Sequence, residues 1–480
     1  MTNKYDVINV GGGPAGLYTA YGLTCLNQSQ KKPRVLIIEK GKTLDKRACP
    51  AIKKNVNCVN CKTCSIMSGV AGAGAFSDGK FPITNDFGGN LWELIGKEES
   101  LALQRQVDTI NFGLYELRMK EGWDKDTYPK LYSSNGSIYK KICTQHNLHL
   151  LDADIRHLGT DKGQIVYGEL YKLLEKNGVD FLTETTVNSI EQILEQDVNN
   201  YYCVKTDKNE EFFSDNVVVA AGRSGSEWVS KICENLKIPT KSNRIDIGVR
   251  FECQDEIWSH ITKDLYESKI VYRTKTYADL VRTFCMNPSG EVVTENTDGF
   301  ITVNGHAFED ENKKTHNTNF ALLVSQTFTE PFNGSNEYGN AVAHLSNLLG
   351  QGVVVQRYGD LIRHNRSTHE HMKHNTVTPT LNAEPGDLSF ILPKRIFDDI
   401  LEMIEKLDHI APGMTNDDNL IYGVELKRYN CVVEINNTFE PINYKNLFFI
   451  GDGCGITHSL SQASAMGLAV SEVIKSRFSR

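Results

Sequence analysis

Four cysteines stand close together in the first part of this 480-residue chain: Cys49, Cys58, Cys61 and Cys64, spaced C-P-x7-C-x2-C-x2-C. Two consecutive x2 spacings let three thiolates converge on one centre from a tight loop, and the outlying cysteine can close the site. Four thiolates suit an iron–sulfur cluster or a tetrahedral zinc. Zinc sites usually pair two separated C-x2-C knuckles. The continuous run with an outlying Cys-Pro is closer to the bacterial ferredoxin pattern, here with its outlier on the N-terminal side. These four residues are the candidate metal ligands. A [4Fe-4S] cluster is the first reading, zinc the alternative, and reduced or switching thiols the third. The other cysteines of the twelve are scattered, which does not describe a disulfide framework.

A second set of residues is suited to phosphate. Asp6 to Gly16 reads D-V-I-N-V-G-G-G-P-A-G, so Gly11, Gly13 and Gly16 fit G-x-G-x-x-G directly after an apolar run. The first glycine permits the tight turn, the second lets a pyrophosphate approach the backbone, and the third lets helix and strand pack closely. The N-terminus of a helix beginning at Ala15 offers unpaired N–H groups to the phosphates. A second apolar run, Val35 to Ile38, ends in Glu39, about 20 residues beyond the last glycine, where an acid takes ribose hydroxyls. The segment Gly69 to Lys80, G-V-A-G-A-G-A-F-S-D-G-K, has few side chains, so its backbone can press against a flat ligand or a phosphate.

At the far end, Leu447 to Ile450 is an apolar strand closed by Gly451-Asp452-Gly453. A helix rich in small residues follows, with Ala463, Ser464, Ala465 and Gly467. An Asp at a strand end accepts hydrogen bonds from a polyol chain, and the helix beside it aims its positive end beyond. A flavin has both matching parts: a ribityl chain, and a ring that gains negative charge when reduced.

The elements that must position these residues are those of a parallel cofactor sheet. Leu91 to about Met119 and Ile155 to Asn177 are predicted helices. Val179 to Val187 and Tyr201 to Lys205 are predicted strands, and Asn216 to Gly222 is an apolar strand ending where the chain passes under a ligand. From about Arg244 to Asn430 short alternating segments (Ile247 to Phe251, Ile270 to Thr274, Leu280 to Phe284) separated by polar turns predict an antiparallel sheet with helices on one face. R-T-F-C-M-N-P-S-G-E-V-V, Arg282 to Val293, reads as a hairpin, with Cys285 a small buried residue or one that faces substrate. His369, His371 and His374 do not share one helix face, so a solvated loop is expected there rather than a metal site. Lys80 and His306 are polar candidates for which a surface role is the better reading. The expected divisions are 1–90 and 91–243 for the first two parts of a cofactor domain, 244–430 for an inserted domain, and 431–480 for the last part of the first.

Composition sets limits. Hydrophobic content of 40% and charged content of 23% are those of a globular protein, and the length calls for more than one domain. A net charge of −8 with no basic block argues against nucleic acid as partner. No apolar run reaches membrane-spanning length. The first strand starts a few residues after Met1, leaving no room for a signal peptide, so a cytoplasmic location is expected.

The segments V-G-G-G-P-A-G-L, I-I-E-K-G, V-V-A-A-G and F-I-G-D-G resemble FAD-dependent oxidoreductases of the glutathione-reductase structural superfamily. More narrowly, the cysteine segment running into G-A-G-A-F-S-D-G-K, the R-T-F-C-M-N-P-S-G segment and G-D-G-C-G-I-T-H-S-L-S-Q-A-S resemble a poorly characterised family of bacterial FAD-dependent dehydrogenases, distantly similar to geranylgeranyl reductases. The resemblance implies an α/β fold: a Rossmann-like FAD-binding domain on a parallel sheet, with an inserted α+β substrate domain on an antiparallel sheet. It implies that Gly11, Gly13, Pro14, Ala15 and Gly16 hold the pyrophosphate and that Glu39 binds the adenosine ribose beside Lys40. Gly72, Gly74, Ala75, Phe76 and Ser77 would lie against the flavin or its phosphates. Gly222 would pass near the cofactor, with Val187 and Gly451 as further contacts. Asp452 would take the ribityl chain, and Gln462 and Ala463 would lie near the ring. Cys454 stands where a small Ala or Ser is expected. The implied activity is a dehydrogenase or reductase acting on a small organic molecule. No second G-x-G-x-x-G is evident, which favours a protein electron donor or transient nicotinamide binding; the cysteine centre would pass single electrons to or from a partner such as a ferredoxin. The alternatives are a flavin monooxygenase using NAD(P)H and oxygen, to which A-A-G-R-S-G-S-E-W-V is similar, and a non-catalytic redox sensor.

Overall fold

The computed structural model describes residues 3–27, 32–50, 53, 59, 61–119, 123–193, 201–297, 299–307 and 311–478. The chain divides into two compact units. The first comprises 1–130, 156–241 and 429–480, the second 131–155 and 242–428. The segment 131–155, expected with the cofactor domain, belongs to the second unit.

The first unit is Rossmann-like. Strand β1 (Lys4–Val10) leads into helix α1 (Pro14–Thr24), and β2 (Val35–Ile38) follows. Their Val, Ile and Leu side chains are buried on both faces, as a parallel sheet requires. Helix α2 (Lys97–Arg118) and helix α3 (Gly159–Lys176) precede β3 (Asp180–Leu182), β4 (Val187–Ile193), β5 (Tyr201–Thr206) and β6 (Glu211–Val219). The sheet order is β3-β2-β1-β6-β5-β4, with the C-terminal strand Leu447–Phe449 also on β6. Pairing is parallel from β3 to β6 and for the C-terminal strand, and antiparallel from β6 through β5 to β4.

Two predicted helices differ in extent. The first breaks at Gly96, whose φ of +86° ends a short helix at Ile95 before α2 begins. The second starts at Gly159, because Asp154–His157 is extended. The C-terminal helix, Leu460–Phe478, packs on α1 through small residues. A Cβ on Gly467 would stand 2.3 Å from the Ala15 carbonyl oxygen, and one on Gly22 would stand 1.9 Å from Ser471 Oγ.

The second unit is built on β7 (Ile245–Gln254), followed by helix α4 (Asp255–Leu265), β8 (Ile270–Arg273), β9 (Leu280–Asn287), β10 (Glu291–Thr297), β11 (Phe300–His306), β12 (Asn317–Gln326), helices α5 (Ser335–Gly350) and α6 (Lys394–Leu407), and β13 (Leu420–Arg428). The large sheet runs from Glu384–Pro385 through Val354–Arg357, β13, β7, β12, β9 and β8 to His149–Leu150, and all its central pairs are antiparallel. One face carries Ile247, Val249, Phe251, Phe320, Leu322 and Val324 and packs in one core with Trp258, Ile261, Ile400 and Met403 of α4 and α6.

The expected hairpin at Arg282–Val293 is corrected. The turn exists, but β9 pairs with β8 and β12, whereas β10 pairs with β11. A local turn signal fixes a reversal of direction, and the choice of partner strand is made by the sheet around it. His369–Lys373 is a single helical turn capped by Thr368 rather than a loop. No helix among the described residues is long and apolar enough to cross a membrane.

Candidate functional site

The glycine turn after β1 lies against the end of β6. Gly11 has φ +112°, and a Cβ there would stand 2.3 Å from the Ala220 carbonyl oxygen. A Cβ on Gly16 would stand 2.2 Å from the Gly11 carbonyl oxygen. Both positions therefore exclude any side chain, and Gly13 precedes a helix with Pro14 at its start and no side chain capping its first turn. The N–H groups of Ala15 and Gly16 belong to that first turn, which is what a pyrophosphate requires.

Glu39 is buried at the end of β2, and its carboxylate gathers three chain segments. The Gly12 N–H donates to Oε2 at 2.8 Å, and the Gly41 and Gly69 N–H groups donate to Oε1 at 2.9 Å each. A carboxylate offers about four accepting positions, so one remains for a ribose hydroxyl. The residue thus fits the expected role and carries a structural one that the sequence reading missed. Lys40 donates to the Ser224 carbonyl at 2.9 Å.

The segment after the cysteines is held onto this turn. The Ala71 N–H donates to the Gly12 carbonyl at 2.7 Å, and the Val70 N–H to the Lys42 carbonyl at 3.0 Å. Arg47, not singled out in the sequence, donates to the carbonyls of Ser65, Ile66 and Val70 at 2.8, 2.7 and 2.7 Å, with its guanidinium 4.6 Å from the Phe76 ring centre. Burial pulls Arg47 down to about 10, against the Glu39 and Cys64 charges that favour its cation, so it stays charged at neutral pH. Gly72–Phe76 forms a tight turn, with Gly74 and Ala75 buried. A Cβ on Gly72 would stand 3.2 Å from Gly13 Cα, so the two glycine loops lie against each other. The Ser77 hydroxyl donates to the Gly74 carbonyl at 2.9 Å and closes this turn.

Asp452 follows the C-terminal strand. Its Oδ1 accepts from the Thr457 hydroxyl at 3.0 Å, and its Oδ2 is 3.5 Å from Arg223 Nε. Burial raises its carboxyl above the usual range, and Arg223 and Thr457 pull it back. Asn430, another residue missed in the sequence, bridges this turn to Gly222. Its Nδ2 lies 3.0 Å from the Asp452 carbonyl and 3.4 Å from those of Gly222 and Gly453. Gly451 and Gly222 both have positive φ, +73° and +64°.

Gln462 is fully buried and engaged elsewhere. Its Nε2 donates to the carbonyls of Thr84 and Phe87 at 3.2 and 3.0 Å, and its Oε1 accepts from the Leu91 N–H at 3.3 Å. Its side chain ties down the 84–91 loop, so only its backbone remains for a ligand. Ala463 is buried in the same core. Val187 is buried core at the start of β4. The Cys454 thiol donates to the Gly451 carbonyl at 3.0 Å, and burial pushes it up to about 12, so it is a neutral packing residue at physiological pH.

Of the expected four-cysteine centre, three members are described. Cys61 and Cys64 are exposed, Cys49 is half-buried, and Cys58 lies outside the described residues. No group of three or more His, Cys, Asp or Glu among the described residues is placed to hold a metal ion. His369, His371 and His374 do not converge either. His371 Nδ1 stands 3.0 Å from Asp360 Oδ2, whereas His369 and His374 face Glu384 and Glu370 at 3.8 and 3.7 Å. Lys80 is ion-paired with Asp78 at 3.0 Å.

Residues 246–428 match the family described as "FAD-dependent protein, C-terminal domain-like". Over its length the chain is similar to an uncharacterized protein of Clostridium beijerinckii, 26% identical over 501 aligned positions that cover 99% of this chain and 81% of the relative. Among solved structures it is similar to glycine oxidase from Geobacillus kaustophilus, at 12% identity, covering 99% of this chain and 95% of the other with a TM-score of 0.41. It is also similar to a geranylgeranyl bacteriochlorophyll reductase-like protein from Thermoplasma acidophilum, at 12% identity, covering 100% and 80% with a TM-score of 0.38. Structural likenesses of this degree say nothing about substrate or reaction. The family match and the glycine cradle together support FAD as the cofactor and a flavin-dependent oxidoreductase as the class.

Proposed function

We propose that the protein is an FAD-dependent dehydrogenase or reductase acting on a small organic molecule, with a cysteine-ligated iron–sulfur centre relaying electrons from a ferredoxin-like donor. The observation that carries the flavin part is the cradle itself. Gly11 and Gly16 admit no side chain, α1 has an uncapped first turn, and Glu39 keeps one accepting position at the end of β2. In this reading the α1 N-terminus and the backbone of Gly11 and Gly13 hold the pyrophosphate, Glu39 accepts from a ribose hydroxyl, and Asp452 accepts from the ribityl chain. Bound FAD would supply exchange of an electron pair with an organic substrate. The chain's own contribution is to orient and tune. Arg47 and Glu39 fix the 65–76 segment on the cradle, and Arg223 and Thr457 keep the Asp452 carboxylate able to accept. The spacing of Cys49, Cys58, Cys61 and Cys64 supports the iron–sulfur part.

The test is purification without oxygen, followed by absorbance, chromatography of the released flavin, and iron, zinc and acid-labile sulfide analysis. FAD, with broad absorbance bleached by dithionite and matching iron and sulfide, is the expected result. A protein that neither carries nor takes up FAD overturns the flavin reading. Retention of all iron after Cys58, Cys61 and Cys64 are each changed to Ser overturns the ligand assignment.

A further inference from the structure

Helix α3 is fastened to the second glycine loop. The Thr160 hydroxyl, in the first turn of α3, donates to the Ser77 carbonyl at 2.8 Å, and the Leu158 N–H just before it donates to the Gly79 carbonyl at 2.9 Å. Tyr167 stands seven residues after Thr160, two turns on and on the same face of the helix. Its ring is thereby carried to the Gly72–Phe76 turn. A Cβ on Gly74 would stand 3.1 Å from Tyr167 Oη, 2.9 Å from Leu460 Cδ2 and 3.3 Å from Pro14 Cγ. Three segments of the cradle therefore meet at this hydroxyl: the second glycine loop, the first residue of α1 and the first residue of the C-terminal helix.

Tyr167 is only 1% exposed, and its hydroxyl has no hydrogen-bond partner among the described residues. The Gly74 carbonyl beside it accepts from the Ser77 hydroxyl at 2.9 Å instead. Burial raises the Tyr167 phenol above its ordinary value, so the group is a donor at neutral pH. A buried donor without an acceptor is costly, and Phe would fill the same space without that cost. Tyr at this position is accounted for by an acceptor that arrives with a ligand. Pro14 opens the helix whose first turn suits a pyrophosphate, and Gly72 lies against Gly13. Phosphate oxygens at a helix N-terminus accept from several donors at once. We propose that Tyr167 is a further cofactor-binding residue, whose hydroxyl donates to the diphosphate of FAD. The proposal rests on the flavin reading and deepens it, adding a side-chain donor from a helix outside the glycine motifs.

The test is Tyr167→Phe in the full-length protein, which keeps the ring and removes only the oxygen. FAD is stripped from parent and variant and returned by titration, followed by flavin fluorescence. The flavin-free proteins are unfolded in urea, and the reloaded ones are examined by 31P NMR. FAD affinity falls by about tenfold or more, as for a hydrogen bond to a charged group. The flavin-free variant unfolds at the same urea concentration as the flavin-free parent or a higher one, because the lost hydroxyl had no partner. At least one diphosphate resonance of bound FAD shifts. Tyr171→Phe, on the same helix with its hydroxyl on Glu175 at 2.7 Å, changes neither the affinity nor the resonances. Weaker FAD binding with undiminished stability cannot come from damaged folding. Unchanged FAD affinity, unmoved 31P resonances, or a flavin-free variant clearly less stable than its parent overturns the proposal. A parent that takes up no FAD sinks the flavin reading and this residue's role with it. A parent that takes up FAD, with a variant that binds it as tightly, sinks this role alone.

Discussion

Glu39→Gln keeps the size of the side chain while removing its charge and half of its accepting capacity. Three backbone N–H groups converge on the native carboxylate, from Gly12, Gly41 and Gly69, at 2.8, 2.9 and 2.9 Å. An amide has one accepting oxygen and two donors of its own. Its better orientation keeps the oxygen on Gly41 and Gly69 and turns the NH2 group onto the Gly12 N–H, donor against donor. A buried N–H left unsatisfied costs about 1–3 kcal/mol, and converting two charge-assisted bonds into neutral ones costs about 1 kcal/mol more. Because the site is only 6% exposed, water does not make up the difference. The expected loss is ~2–4 kcal/mol, which at a urea slope of about 3 kcal/mol per molar lowers the unfolding midpoint by roughly 1 M. The assay is urea titration followed by circular dichroism, before and after removal of flavin. Glu39→Asp keeps the charge but is one methylene short of its donors and loses a comparable amount. If the flavin-free Glu39→Gln protein unfolds within about 0.2 M of the flavin-free parent, Glu39 does not fasten the three segments and the reasoning fails.

Gly467→Ala drives a Cβ to 2.3 Å from the Ala15 carbonyl oxygen and lowers stability by about 1–3 kcal/mol, seen as a lower thermal midpoint. Gly163→Ala, inside α3 with nothing within 4 Å of the new Cβ, raises stability by about 0.5–1 kcal/mol. Iodoacetamide at pH 8 leaves Cys454 unmodified in the folded protein, because burial holds its thiol near about 12. Cys61 and Cys64, both exposed, react in metal-free protein and are protected when a cluster is bound, as read by peptide mass spectrometry. Burial and the neighbouring Asp279 lift the Asp399 carboxyl to about 6. The folded state then holds a proton that the unfolded chain releases near pH 4, so stability falls as pH rises from about 4 to about 6 and stays lower above. Asp399→Asn keeps the size of the side chain and cannot ionise. It gains on the order of 1 kcal/mol at pH 7.5, a size limited by screening near exposed Arg395, and nothing below about pH 4.

The glycine turn, α1, β2 and Glu39 are legible in sequence because each step is local: apolar strand, G-x-G-x-x-G, helix, strand, acid. The Gly451-Asp452-Gly453 turn is legible for the same reason. What Glu39 does structurally is not, since Gly69 meets it only after the intervening chain has folded back. Nothing marks Arg47 among the basic residues around the cysteines until the carbonyls of Ser65, Ile66 and Val70 are seen pointing at it. Asn430 is another residue of this kind, meaningful only through the turn it bridges. Gln462 shows the opposite case. A polar residue at the start of a cofactor-facing helix invites a ligand role, but the 84–91 loop takes its whole amide. In β7 the alternation of apolar and charged residues reads as a strand half in water. Both faces are buried, and the pattern cannot say what covers the charged one.

That charged face explains an oddity of β9. Cys285 has φ +48°, a left-handed conformation that costs a non-glycine residue about 1 kcal/mol, and the β9–β12 register shifts between Phe284 and Asn287. The bulge is pinned from both sides. The Cys285 N–H donates to Glu267 Oε1 at 3.1 Å, and its carbonyl accepts from Arg250 Nη1 at 2.9 Å and Asn287 Nδ2 at 3.0 Å. Glu267 and Arg250 also pair with Lys269 at 3.2 Å and Glu425 at 3.1 Å, so the backbone shape that carries Phe284 is maintained by the same groups that set the charge around it. Removing either side chain outright would disturb both at once. Gln at position 267 separates them, because its oxygen still accepts the Cys285 N–H while its charge is gone.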